Sequence, residues 1–74
     1  MNNEAFHVML FDSVSSALLA EKILKKHDLP FKIIPVPRHI SSDCGVCIRF
    51  SSPQRHRIET ALTGKVEIQD ICPL

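Results

Sequence analysis

Near the start of the chain, Phe6-His7-Val8-Met9-Leu10-Phe11 is built almost wholly of strand formers, and alternation with period two puts Phe6, Val8 and Leu10 on one face. This predicts a first strand whose other face carries His7, Met9 and Phe11. Asp12 and Ser13 are N-cap types, and Val14, Ala17, Leu18, Ile23 and Leu24 then follow at close to helical spacing, predicting a helix over 14–27. Glu21, Lys22, Lys25 and Lys26 fall on its wet side. Pro30 ends that helix, because the residue before a proline avoids the helical region. A second strand is expected over 31–36, at an edge, since Pro35 and Pro37 cannot donate to a ladder.

After a polar stretch, Val46-Cys47-Ile48-Arg49-Phe50 predicts a third strand, with Val46, Ile48 and Phe50 inward and Cys47 and Arg49 outward. Ser52 as N-cap, Pro53 at the first helical position and Gln54 reaching back toward Ser51 mark a second helix start. Ile58, Ala61 and Leu62 form its buried stripe and Gly64 its C-cap. Val66 to Ile71 alternates as a fourth strand. The order βαββαβ closes most economically as an α+β ferredoxin-like fold, a four-stranded antiparallel sheet with two helices on one face, and no linker or repeat divides residues 1–74. The uncovered face, with His7, Met9, Phe11, Cys47 and Arg49, suggests a docking surface or a homodimer contact with a second copy.

Composition narrows the function classes. In 74 residues, 9 Lys+Arg stand against 8 Asp+Glu, a net charge of +1, which supplies no bulk attraction to nucleic acid or an anionic membrane. With 5% aromatic residues, the basic group Arg49, Arg55, His56 and Arg57 has little to stack bases on and reads as a solvated helix face. No apolar run nears the roughly 20 residues of a membrane span, and Met1-Asn2-Asn3-Glu4 has no secretory character, so a cytoplasmic protein is expected. Three cysteines, Cys44, Cys47 and Cys72, then imply free thiols in a reducing compartment.

The candidate chemistry lies between the second and third strands. Residues 35–45 make a longer connection than a hairpin needs, and Cys44 followed by Gly45 at the mouth of a strand reads as an accessible thiol. Arg38 and His39 would lower its pKa, whereas Asp43 would raise it. The competing reading is a buried, inert cysteine. Cys44 and Cys47 form a CxxC pattern, but it runs into a strand, where residues three apart are separated by roughly 10 Å. A disulfide needs Cα atoms within about 7 Å, so the pair closes only if the chain bends at Gly45. Neither Cys72 nor His39 stands at a recognisable spacing to complete a zinc set, so no metal and no other cofactor is expected.

Ala17-Leu18-Leu19-Ala20-Glu21-Lys22, then Val36-Pro37-Arg38, then Ser41-Ser42-Asp43-Cys44-Gly45 resemble the small bacterial selenium/sulfur carrier protein-like family, over nearly the whole chain. That resemblance implies a carrier or accessory protein rather than an enzyme, holding sulfur or selenium on Cys44. Arg38 matches as the basic partner, Gly45 would give access, and Ser42 and Asp43 flank the thiol. Donor and acceptor proteins would be its partners. Cys47, where the family suggests a small or apolar residue, is a departure; a second thiol there could resolve a persulfide. Two rival readings are an interaction module using the open sheet face and a thiol-disulfide or metal-handling protein using Cys44 with Cys47.

Overall fold

The computed structural model describes residues 5–40 and 45–74. Among them the elements run β1 (Phe6–Leu10), α1 (Val14–Lys26), β2 (Lys32–Pro35), β3 (Val46–Ser51), a 3-10 turn (Ser52–Gln54), α2 (Arg55–Leu62) and β4 (Asp70–Pro73). The strands form one antiparallel sheet in the order β2-β3-β1-β4, the α+β ferredoxin-like arrangement expected. β2 is an edge strand, where Pro35 is tolerated.

Ser13 caps α1, its Oγ accepting the Ser16 N–H at 3.1 Å. The helix turns Ala17, Ala20 and Leu24 into the core and leaves Val14 and Leu18 about half exposed, so the stripe expected from spacing is shifted. Two alanines on the buried side let the helix lie close to the sheet, which carries the larger side chains Met9, Ile48 and Phe50 into the shared core. At its end Asp28 takes φ 57°, with Asp28 N–H bonded to the Lys25 carbonyl and Leu29 N–H to that of Leu24. This is a Schellman cap with aspartate where glycine is usual.

The face assignment of β1 is opposite to the one expected. His7 stands opposite Phe50 and Met9 opposite Ile48, so His7, Met9 and Phe11 belong to the helix side and Val8 and Leu10 to the other. Alternation could not set the phase, because residues 6–11 are apolar at every position but His7, and a one-residue shift exchanges the faces. In β3, Ile48 and Phe50 do face the helices, with Cys47 on the far side as expected. That far side is not bare. Val8 and Cys47 are 0% exposed, in a cluster with Leu10 against which Ile34, Val36, Ile40 and Cys72 pack.

β4 begins at Asp70 rather than near Val66. Leu62 to Lys65 form a type II turn: Thr63 lies at φ −59°, ψ 128°, Gly64 at φ 80°, and Lys65 N–H reaches the Leu62 carbonyl at 3.0 Å. Val66 and Ile68 then pack into the helix-side core without joining the ladder, so their alternation reports burial rather than pairing. The start of α2 differs too. Ser52 opens the 3-10 turn instead of capping the helix, and its Oγ lies 2.8 Å from His7 Nδ1.

Candidate functional site

The β2–β3 connection leaves the sheet at Val36. Val36 and Ile40 pack onto the far-side cluster, while the Ile40 N–H donates to the Pro37 carbonyl at 3.0 Å. Two apolar anchors four residues apart, closed by a turn, hold the intervening segment against the sheet. Arg38 and His39 are left exposed at its tip. The other arm of the connection returns at Gly45, whose carbonyl accepts the Val36 N–H at 3.2 Å. Arg38 therefore lies two residues from one end of a hydrogen-bonded gate, and Gly45 forms the other end.

Gly45 adopts φ +146°, a conformation open to glycine and strained for any side chain. No atom lies within 4 Å of where its Cβ would be, so glycine serves the backbone conformation rather than a tight approach within the chain. Ser41, Ser42, Asp43 and Cys44, which include the expected thiol and two flanking residues, lie outside the described residues.

The family model described as "Putative Se/S carrier protein-like" matches residues 6–73, a span that includes the whole connection from Arg38 to Gly45. The chain belongs to this family. The Se/S carrier-like chain is also similar to the uncharacterized protein YtiA of Escherichia coli K12, with 27% identity over 60 residues, covering 81% of this chain and 71% of the relative. No solved structure matches it.

Two other thiols of this Se/S carrier-like protein are described, and both are unbridged. Cys47 is sealed within the far-side cluster, and burial pushes its thiol above the ordinary range because a thiolate there would lose its hydration. Its Sγ is 3.9 Å from the Pro35 carbonyl. Cys72 is half-buried on the same face; desolvation, then the Asp70 carboxylate, whose Oδ2 lies 3.7 Å from Sγ, push its thiol up as well. Neither environment generates a thiolate near neutral pH. Among the described residues no three His, Cys, Asp or Glu side chains assemble as metal ligands, and no helix is long and apolar enough to cross a membrane.

The basic residues separate. Arg55 pairs with Glu59 at 3.5 Å on an exposed helix face, and His56 and Arg57 are exposed beside it. Arg49 stands apart from them, on the sheet, with its guanidinium carbon 4.7 Å from the Phe6 ring centroid. His7 is stacked on Phe50, with ring centroids 6.0 Å apart and planes 18° from parallel. Neither contact was legible in spacing, because both depend on the β1–β3 register.

Proposed function

We propose that this protein is a sulfur or selenium carrier in which Cys44 holds the atom as a persulfide or selenosulfide. The observation that carries the reading is membership of the Se/S carrier-like family over residues 6–73. Two features agree with it. The Val36–Gly45 hydrogen bond ties the Arg38 turn to the residue that follows Cys44 in the chain, and the described thiols, Cys47 and Cys72, are both biased toward the neutral form.

Loading is a thiol exchange without net oxidation. The Cys44 thiolate attacks the terminal sulfur of a donor protein's persulfide; the new bond forms at Sγ, the donor's S–S bond breaks, and the donor cysteine leaves as thiolate. Delivery to an acceptor thiol is the same exchange in reverse. Selenium follows the same path from a donor selenosulfide. Arg38, exposed and charged, stabilises the anionic persulfide by a charge-assisted hydrogen bond. Cys47 packs the sheet in this reading, and partners are the donor and acceptor proteins.

Intact-mass spectrometry of the reduced protein after incubation with a cysteine desulfurase and cysteine tests the reading. Wild type and Cys47→Ser should each gain one sulfur atom, and Cys44→Ser none. Equal retention in all three proteins, or none in any, would sink it for sulfur. A selenium-donor arm read in the same way then decides that cargo.

A further inference from the structure

At the Ser51 end of β3, about 13 to 20 Å along the strand from Gly45 at the rise of an extended chain, lies a cleft of about 380 Å³ between the sheet end and the start of the α2 segment. Phe6 and Phe31 supply its apolar walls, and Lys32, Arg49 and Gln54 its polar groups. Its polar chemistry is unbalanced in three ways. Lys32 and Arg49 are direct cross-strand partners, a pairing of like charges that opposes folding. No carboxylate among the described residues pairs with either; the ion pairs there are Lys25–Glu21 and Arg55–Glu59. Arg49 Nε and Gln54 Oε1 are moreover the buried side-chain polar atoms left without a hydrogen-bond partner among the described residues, and both belong to this cleft.

Such a constellation specifies its ligand. Two adjacent cations and an unmet guanidinium donor call for an anion, and the Nε edge of arginine matches the two oxygens of a carboxylate. Arg49 is held by stacking on Phe6 rather than by an acid among the described residues, so a side-chain shift can present that edge. The unmet Gln54 oxygen calls for an N–H donor beside the anion. Two phenylalanines call for an apolar group, and the volume falls at the small end of ligand cavities.

We propose that this cleft binds a carboxylate carrying an adjacent amide N–H and an apolar side chain, the chemistry shared by an N-acyl amino acid and the C-terminal residue of a peptide. The carboxylate sits between Lys32 and Arg49, the N–H donates to Gln54 Oε1, and the side chain packs on Phe31. This proposal does not rest on the carrier reading.

The test is an amide-resolved NMR titration of the full chain with N-acetyl-leucine, N-acetyl-leucinamide, 4-methylpentanoate and a tripeptide ending in a leucine carboxylate. N-acetyl-leucine should give saturable shifts centred on Phe6, Lys32 and Arg49 to Gln54. Removing the negative charge in the amide should weaken binding by about tenfold or more, as should Lys32→Gln, whose exposed position leaves the fold intact, given the usual strength of hydrogen bonds between charged groups. The methylpentanoate, lacking the N–H, should bind more weakly than N-acetyl-leucine to wild type and equally well to Gln54→Leu. Tighter binding of the tripeptide identifies a protein C-terminus as the source; equal or weaker binding identifies the small molecule. Absence of saturation at concentrations where a millimolar ligand would fill the site, or equal affinity for acid and amide, overturns the proposal.

Discussion

The two faces of the sheet are buried by different means. On one side Met9, Ile48 and Phe50 interlock with Ala20 and Leu24 of α1 and Ile58, Ala61 and Leu62 of α2, a core formed between regular elements. On the other, Val8, Leu10 and Cys47 are met by Ile34 of β2, Cys72 of β4 and the β2–β3 connection through Val36 and Ile40. The helix side holds the fold together; the far side anchors the segment that carries the candidate chemistry. Apolar burial on both faces therefore serves two ends, because here a second, smaller core fastens the loop that carries the candidate site.

Truncation on the two faces should separate these roles. Phe50→Ala, opening a cavity in the helix-side core, should lose about 3–5 kcal/mol, enough in a small domain to leave much of the protein unfolded in a urea titration. Leu10→Ala at the margin of the far-side cluster should lose about 2 kcal/mol, the low end for such truncations. A larger loss from Leu10→Ala than from Phe50→Ala would break the comparison. Gly45→Ala forces a side chain into φ +146° and should cost on the order of 1–3 kcal/mol. Because space is open around it, the loss should appear as backbone strain at the loop, seen as faster amide exchange at Val36 with the helix-side core unchanged.

The pH dependence sharpens the contrast. Cys47 has a folded-state pKa above its unfolded value, so its contribution to stability is intact below the ordinary thiol range, near about 8.5. It is lost as pH rises from there through the higher folded value. Denaturation from pH 7 upward should show this decline in wild type and a smaller one in Cys47→Val. An identical slope in both would contradict the assignment. Iodoacetamide should also label Cys72 faster than buried Cys47. The smallest effect expected is a gain: Asp28→Gly relieves the positive φ in the α1 cap and should stabilise by about 0.5–1 kcal/mol.

How far each feature could be read from the sequence follows from what determines it. Ser13, Pro30, Gly64 and the apolar runs are local signals, and the element order βαββαβ followed from them. Which face β1 turns inward is decided by pairing with β3, and a strand apolar on both sides carries no local trace of it. The start of β4 was obscured because Val66 and Ile68 are buried without being paired. In the connection, Arg38 is exposed and Gly45 takes a positive φ, while the expected thiol lies outside the described residues. The juxtaposition of Lys32, Arg49 and Gln54 requires the β2–β3 register, so residues 22 positions apart in sequence could not have been joined by spacing.

The central claim is that the cargo atom resides on Cys44, and the most direct measurement is to locate it. After loading from a cysteine desulfurase, persulfides would be trapped with an alkylating probe, the protein digested, and each cysteine-bearing peptide weighed. Cys44 and Cys47 share one tryptic peptide, residues 39–49, so backbone fragmentation of the alkylated peptide assigns the added sulfur to one of the two. The account predicts an added sulfur at Cys44 alone, reduced in Arg38→Gln and retained in Cys47→Ser. Sulfur found on Cys47 or Cys72 with Cys44 unmodified would contradict it.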